Sequence, residues 1–216
     1  MINEKHSSPT SEFELEYWKK NLLIAGVDEA GRGPLAGPVL AAAVILPINC
    51  SLPPNINDSK LLSEKKREEL FKHIKANAVS IGIGIVENEE IDQINILNAT
   101  YKAMNLAIAD LGILPEIAFI DGNSFKSDGI KYKTIIKGDK RSISIAAASI
   151  IAKVKRDEIM TKQIHLECPN YFFDENKGYG TKKHYEAIKK YGICKYHRKT
   201  FLKNLHQENP SEFNLF

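Results

Sequence analysis

The sequence predicts an α/β protein in which a mixed β-sheet is flanked by helices and followed by a helical C-terminal extension. Short apolar runs of strand length come first, further runs then alternate with helical patterns, and the last part of the chain is polar, basic and helical. The length of 216 residues suits one domain, which can bury a hydrophobic core without disulfides or structural metals.

The composition is that of an ordinary globular protein, with 43% hydrophobic and 26% charged residues. Cys50, Cys168 and Cys194 lack the spacing of zinc ligands or of a disulfide framework, so we expect reduced thiols. The first twenty residues do not form a signal peptide, and no run approaches the ~18 apolar residues of a membrane-spanning helix. We therefore expect a cytoplasmic protein without a membrane partner. Its net charge of +3 is only weak evidence of a nucleic-acid partner.

Two apolar runs near the N-terminus, at 22–28 and 39–46, are separated by the glycine-rich loop 30–38. Strands joined by so short a loop are expected to be antiparallel neighbours. The remaining pattern predicts a loop at 47–60, a helix at 63–76 capped by Ser63, strands at 79–86, 117–121 and 132–137, one or two helices at 89–111, and a helix at 144–163.

Acidic residues follow three of the predicted strands: Asp28 with Glu29, then Asp121, then Asp139. Sites in open α/β sheets lie at such strand ends, and Mg²⁺ prefers oxygen ligands. Two such ions can activate a water and stabilise the leaving oxygen of a phosphodiester. An acid after a strand is also a common turn former or helix cap. Spacing alone therefore leaves both a metal site and a set of turns open.

Six strings occur along the chain in the order of a known family. They are GVDEAGRGPLAGPV from Gly26 to Val39, Asp58-Ser59-Lys60, Ile120-Asp121-Gly122, Lys137-Gly138-Asp139, AASIIAKV from Ala147 to Val154 with Arg156 and Asp157, and KGYGT from Lys177 to Thr181 with His184. The first string is very specific, and the matched region runs from about residue 22 to about residue 201. The chain resembles bacterial ribonuclease HII, a type-2 ribonuclease H, and this implies a ribonuclease H-like sheet.

The resemblance implies four metal-binding carboxylates, Asp28, Glu29, Asp121 and Asp139, with Mg²⁺ or Mn²⁺ as the cofactor. Asp28 and Asp121 are expected to contact the metals most directly, and the other two to complete the shell. Asp157 also lies in a matched string and is the rival for the fourth place. We prefer Asp139, because Asp157 lies one helical turn after a lysine, a spacing that favours a structural ion pair.

The resemblance also implies substrate contacts. Backbone groups of Gly31, Arg32 and Gly33 are expected to reach the ribonucleotide 2′-hydroxyl, the group that distinguishes RNA from DNA. Arg32 is a candidate for a flanking phosphate, and Tyr179 for the sugar next to the RNA–DNA junction. Lys60 and His184 complete the predicted substrate-binding set. The alternatives are a glycine-rich strand connector and a packing tyrosine.

The implied activity is endonucleolytic hydrolysis of the RNA strand of RNA–DNA hybrids by a two-metal-ion mechanism. Single ribonucleotides in duplex DNA, the lesions of ribonucleotide excision repair, are the second implied substrate. They would be cut on their 5′ side to leave 3′-hydroxyl and 5′-phosphate ends. The implied organisation is a lead-in at 1–21, a catalytic domain at 22–165, a basic helical region at 166–204 and a flexible tail at 205–216.

Cationic residues concentrate near the C-terminus, and we expect this region to contact the nucleic-acid duplex. A solvated helix face is the alternative. The set comprises Lys177, Lys182, Lys183, Lys189, Lys190, Lys195, Arg198, Lys199 and Lys203, with His184 and His197 between them. The tail ends with Phe213, Leu215 and Phe216, which resembles peptides that dock on bacterial sliding clamps; a frayed terminus is the alternative. We expect a monomer.

Three other classes compete with this interpretation. Ribonuclease HIII has similar strings, but the sequence before Leu22 is too short for its N-terminal substrate-binding domain. A non-catalytic module that binds hybrids would have no use for four carboxylates beside phosphates. A structural α/β protein would not explain the glycine-arginine-glycine string. Metal-dependent cleavage distinguishes the enzyme from the last two.

Overall fold

The computed structural model describes residues 9–50, 53 and 62–203. Its centre is one mixed five-stranded sheet flanked by helices, which confirms the predicted fold class. The strand order across the sheet is β3-β2-β1-β4-β5. The strands are β1 at Ile24–Ala30, β2 at Val39–Ile45, β3 at Ser80–Val86, β4 at Ile117–Asp121 and β5 at Tyr132–Ile135.

The pairing of β1 with β2 is antiparallel, as predicted, and β2 pairs with β3 in the same way. On its other side β1 pairs in parallel with β4, and β4 in parallel with β5. The parallel pairing of β1 with β4 ends with Val27 opposite Ile120. The next residues of the two strands, Asp28 and Asp121, therefore lie at the same end of the sheet. The sheet topology therefore brings together two acids that lie far apart in the sequence.

The first strand is longer than predicted at its acidic end. It continues to Ala30 because β2 supplies partners for the whole segment, including Ala42 opposite Asp28 and Ala41 opposite Glu29. Both acids thus lie inside the strand rather than after it. Because successive side chains in a strand point to opposite faces, Asp28 and Glu29 face different helical layers.

Helices cover both faces of the sheet. One face packs against α2 and α4, and the other packs against α3. The helices are α1 at Glu12–Trp18, α2 at Glu64–Asn77, α3 at Asn88–Ala109, α4 at Ile143–Ile159, α5 at His165–Glu167, α6 at Phe173–Asn176 and α7 at Lys182–Tyr191. The helices α6 and α7 form a smaller apolar cluster with the loop between β1 and β2. As predicted, Ser63 caps α2: its hydroxyl accepts the backbone N–H of Lys66.

The long pattern at 89–111 folds as two helical pieces with a break at Asn95. The backbone of Asn95 has a φ of 66°, outside the helical region. Its side-chain oxygen accepts the backbone N–H groups of Leu97 and Asn98, at 3.0 and 3.1 Å, and so caps the second piece. The segment therefore contains two helical pieces, whereas the apolar spacing is compatible with either one helix or two.

The lead-in segment is attached to the start of α4. Thr10 forms a β-bridge with Ser142, and the buried Glu14 carboxylate accepts hydrogen bonds from the Ser142 hydroxyl and the Ser144 backbone N–H. Two aromatic rings of α1 pack edge-on against Phe119 of β4. The described part of the predicted lead-in, residues 9–21, therefore contains a helix that is held beside the turn that precedes α4.

Two predictions concern residues outside those that the structure describes. They are the substrate-binding residue Lys60 and the tail residues Phe213, Leu215 and Phe216. Across residues 9–50, 53 and 62–203, no helix combines the length and the apolarity needed to cross a membrane.

Candidate active site

The acidic cluster centres on Asp28, which is almost fully buried beneath the edge of the sheet. Its Oδ1 accepts the backbone N–H of Glu29 at 2.7 Å, and its carboxylate is hydrogen-bonded to Ser149 of α4. Burial raises the pKa of Asp28 well above its usual value, and the nearby charges of Glu29 and Asp121 raise it further. Packing like charges around a buried carboxylate is costly, and a bound cation would remove that cost.

A tight turn joins the other two predicted ligands. The backbone N–H of Gly138 donates to Asp121 Oδ1 at 2.6 Å, and Asp139 follows within the 3₁₀ turn Gly138–Lys140. Asp139 is buried, with 9% of its surface exposed. The strand before the turn ends at Ile135, earlier than predicted, so Asp139 is placed by this turn and not directly by a strand end. The turn nevertheless attaches Asp139 to the end of β4.

The donor chemistry fits a hard divalent cation. In the part of the chain that the structure describes, no three acidic, histidine or cysteine side chains are already arranged to hold a metal ion by themselves. Mg²⁺ does not require such a cage, since it is commonly held by one or two carboxylates together with water and substrate phosphates. The carboxylates of Asp28, Glu29 and Asp121 interact electrostatically, and their oxygens are of the kind that such an ion accepts as ligands.

Beside the acids lies a groove of about 450 Å³. Four of the predicted substrate-binding residues gather there, although Tyr179 comes from the opposite end of the chain. The lining residues are Glu29, Ala30, Gly31, Arg32, Gly33, Ile96, Lys153 and Tyr179. The groove thus joins the glycine-arginine-glycine string to the acidic cluster, and its lining combines backbone, cationic and aromatic groups.

Tyr179 forms one wall of the groove, and hydrogen bonds fix the backbone around it. Three consecutive carbonyls are bound by three different elements: Arg156 donates to Lys177 O, the Leu35 N–H to Gly178 O, and His184 Nδ1 to Tyr179 O. The Tyr179 ring is 41% exposed. It is therefore accessible to a ligand while its backbone is fixed.

Lys153 of α4 is a groove residue to which the sequence interpretation gave no binding role. Its Nζ lies 5.8 Å from the centre of the Tyr179 ring and 2.8 Å from Asp157 Oδ1. The predicted ion pair of Asp157 is thus confirmed, and Arg67 lies near it at 3.9 Å. Asp157 compensates the lysine in a partly buried place, where an uncompensated charge would be costly.

Two buried arginines support the loop between β1 and β2, and sequence reasoning missed both roles. Arg198 donates to the carbonyls of Gly31, Arg32 and Gly37, with distances from 2.6 to 3.1 Å. Arg156 donates to Pro38 O at 2.9 Å and to Ala36 O at 3.1 Å. Their guanidinium groups replace backbone partners that the loop cannot provide for itself.

Two parts of the predicted substrate interface require correction. His184, predicted to bind substrate, is fully buried, so its side chain does not face the groove. Arg198 and His197, counted in the basic surface, are also buried: Arg198 donates to backbone carbonyls, and the His197 ring contacts the His184 ring. The exposed lysines of the set are Lys182, Lys183, Lys189, Lys190, Lys195, Lys199 and Lys203. Three of them form ion pairs with acids near them.

We expect Arg198→Met to lower the free energy of unfolding by about 2 kcal/mol, because it leaves buried carbonyls without donors. Thermal denaturation would measure this change. Arg32→Met is the matched control, since the Arg32 side chain is 52% exposed and has a single weak pair with Glu29 at 3.5 Å. Equal melting temperatures for the two variants would contradict the supporting role of Arg198.

The family model "Ribonuclease HII" matches residues 25–207. Ribonuclease HII of Acetivibrio thermocellus is 54% identical over 193 residues, which cover 89% of this chain and 75% of that protein. Ribonuclease H2 from Pyrococcus horikoshii has a TM-score of 0.68 at 25% identity, covering 87% of this chain and all of its own. The ribonuclease HII of Archaeoglobus fulgidus, solved in complex with PCNA, has a TM-score of 0.66 at 26% identity, covering 82% and 94%.

The match includes β1, the acidic cluster and the groove, and it ends beyond the last described turn. It favours ribonuclease HII over the rival ribonuclease HIII, since the model and the curated relative both bear the former name. The chain therefore belongs to the ribonuclease HII family.

Proposed function

We propose that the protein is an endonuclease that hydrolyses the RNA strand of RNA–DNA hybrids and also cuts on the 5′ side of single ribonucleotides in duplex DNA. The products would carry 3′-hydroxyl and 5′-phosphate ends. One observation carries the proposal: the acids Asp28, Glu29 and Asp121 adjoin a groove lined by Gly31–Gly33 and Tyr179. Acids that can hold cations thus lie beside groups that can recognise a ribonucleotide.

Membership of the family makes the chain a metal-dependent ribonuclease H, a hydrolase. We propose Mg²⁺ or Mn²⁺ as the ion, with Asp28, Glu29, Asp121 and Asp139 as ligands. Two such ions would supply an activated water and charge stabilisation for the leaving 3′-oxygen. The protein's own contribution is to place the four carboxylates, through the parallel pairing of β1 with β4 and through the turn at Gly138.

The groove residues would select the substrate. Gly33 carries no side chain on the side of the groove that faces Tyr179, so the backbone groups of Gly31 to Gly33 can approach a ribose 2′-hydroxyl closely. Arg32 is half-exposed and can reach a flanking phosphate. The exposed Tyr179 ring can stack on the neighbouring sugar, where a deoxyribose fits better than a ribose. Together these contacts would favour an RNA–DNA junction.

The test is cleavage of a DNA duplex that contains one ribonucleotide, with Mg²⁺ or Mn²⁺ and with product ends determined. We expect a single cut on the 5′ side of the ribonucleotide, and no detectable cut by Asp121→Asn. An all-DNA duplex and a uniform RNA–DNA hybrid serve as controls. Hybrid binding without any metal-dependent cut would contradict the proposal and indicate a binding module. A cut of the uniform hybrid alone would contradict the ribonucleotide specificity.

The PCNA complex describes the Archaeoglobus protein alone. For this chain we propose docking on a sliding clamp through Phe213, Leu215 and Phe216. A pull-down with the clamp of the host would compare the full chain with one that lacks Phe213 to Phe216. Equal capture of the two chains would end the idea.

A further inference from the structure

Two buried histidines connect the walls of the groove without facing it. His184 comes from α7 and His197 from the segment that follows it, and their Nε2 atoms lie 3.0 Å apart. Tyr171 and Phe173 pack edge-on around the two rings. Neither ring lines the groove, so the pair has no direct contact with the proposed substrate site.

The hydrogen-bond partners determine where the protons lie. Tyr179 O can only accept, so the Nδ1 of His184, 2.8 Å away, must carry a proton. In a neutral ring the Nε2 of His184 is then an acceptor, and the Nε2 of His197 must donate to it. His197 Nδ1 is left as an acceptor for the Cys194 N–H at 2.9 Å, which is shorter than its 3.3 Å contact with Cys194 O. The result is a directed chain that ends on Tyr179.

The surroundings keep both rings neutral. Burial lowers the pKa of His184, and burial together with the neighbouring His184 lowers the pKa of His197 to about 4. The ionisable groups packed against the pair are uncharged near neutral pH, because burial raises the pKa of Tyr171 and that of Cys194 to about 12. Arg198, the next residue along the chain, directs its guanidinium to the carbonyls of Gly31, Arg32 and Gly37.

The backbone around His197 is bonded to the loop that forms the opposite wall of the groove. His197 forms a β-bridge with Ala36, the Gly37 N–H donates to Tyr196 O at 2.9 Å, and the Arg198 N–H donates to Leu35 O at 2.8 Å. This segment is therefore attached to the loop that carries Gly31 to Gly33, and the Leu35 N–H of the same loop also donates directly to Gly178 O. The contact between the two imidazole rings, followed by the hydrogen bond from His184 to Tyr179 O, therefore connects that loop to the Tyr179 backbone.

We propose that His184 and His197 are positioning residues, which form a neutral two-ring bridge that holds Tyr179 at a fixed distance from the glycine-arginine-glycine loop. The bridge thereby sets how strongly an RNA–DNA junction is preferred over a uniform hybrid. This inference rests on the function proposed above. The bridge would act on the width of the groove and not on the hydrolytic step, because neither ring reaches the acids or the groove.

The first test concerns the bridge alone and requires no activity. Nitrogen-15 NMR of the wild-type histidine rings at pH 7 should find His184 protonated on Nδ1 and His197 protonated on Nε2. Free imidazole side chains favour protonation on Nε2, so the His184 result is a specific signature. The opposite tautomer at either residue, or a charged ring, would overturn the proposal even if the protein proves to be an active nuclease.

The second test measures selectivity, as the ratio of kcat/KM on a one-ribonucleotide duplex to kcat/KM on a uniform hybrid. His197→Asn retains an acceptor for the Cys194 N–H but cannot reach His184, and we expect the ratio to fall about tenfold. His197→Gln can donate to His184 and should recover most of the ratio. Combining His197→Asn with Tyr179→Ala should cause no further fall beyond that of Tyr179→Ala alone.

A merely structural role predicts a different pattern. His197→Asn would then lower the melting temperature and leave the ratio unchanged at temperatures where the variant is folded, which would overturn the proposal. Additive losses with Tyr179→Ala would overturn it as well. Failure of the wild-type chain to cut either substrate would contradict the proposed function, and the NMR result would still decide whether the bridge exists.

Discussion

Asp28→Asn is expected to abolish cleavage and at the same time to stabilise the fold. The ions that Asp28 would help to hold contribute several kcal/mol to transition-state stabilisation, and about 4 kcal/mol corresponds to roughly a 1000-fold loss of kcat/KM. The amide oxygen of asparagine can still accept the Glu29 N–H, so the local geometry is retained. The substitution removes a buried charge beside two other carboxylates. In the absence of metal the melting temperature of the variant should therefore be higher than that of the wild type.

The sign of the pH dependence follows from the raised pKa of Asp28. The folded chain holds the Asp28 proton more tightly than the unfolded chain, whose carboxyl titrates near 3.8. Wild-type stability without metal should therefore fall as pH rises from that value through the folded pKa. Asp28→Asn should lack this component, and Mg²⁺ or Mn²⁺ should stabilise the wild type more than the variant. Equal stabilisation by metal would contradict the role of Asp28 as a ligand.

Gly26→Ala is expected to have the largest effect on stability. A Cβ at Gly26 of β1 would lie 2.1 Å from the carbonyl carbon of Ser144 and 2.4 Å from the backbone nitrogen of Ile145. Both are backbone atoms of α4, which cannot move aside as a flexible side chain can. We expect a loss of about 3 kcal/mol or more in the free energy of unfolding, measured by denaturant titration. At roughly 2–4 °C per kcal/mol, the melting temperature should fall by about 10 °C.

Gly33→Ala provides the matched control for stability. Its Cβ would meet only the edge of the Tyr179 ring, at an ordinary van der Waals distance of 3.8 Å. We expect its free energy of unfolding to stay within about 0.5 kcal/mol of the wild-type value. A loss as large as that of Gly26→Ala would show that the close approach of α4 to β1 is not the cause.

Much of the fold followed from local patterns. The apolar runs predicted all five strands, and the Ser63 cap and the Lys153–Asp157 pair depend on neighbours three or four residues apart. The sequence also predicts the acids near the ends of the apolar runs. It does not predict that β2 pairs with β1 through Ala30, which places Asp28 and Glu29 inside the strand. Patterns of period two or 3.6 report burial on one element, and they do not report how far a partner strand continues.

The supporting residues of the groove could not be predicted because a buried cation and a surface cation look alike in a sequence. Arg198 lies among exposed lysines and was grouped with them, yet its guanidinium binds the backbone of a loop from the opposite end of the chain. The carbonyl groups that it binds occur on every residue, so no side-chain pattern could identify them. The family resemblance places His184 at the substrate because His184 follows a matched string, but its buried ring binds Tyr179 O and the His197 ring instead.

The order of the strands also has a consequence for synthesis. The antiparallel strands β1, β2 and β3 are complete once Val86 has been made, whereas β4 joins β1 only after the whole of α3 has been made. Contacts between distant segments tend to form late. A nascent chain would thus possess Asp28 and Glu29 well before Asp121 arrives beside them. We expect a fragment that ends at Ala109 to show no metal-dependent cleavage, so that the emerging polypeptide would be harmless to the nucleic acids around the ribosome.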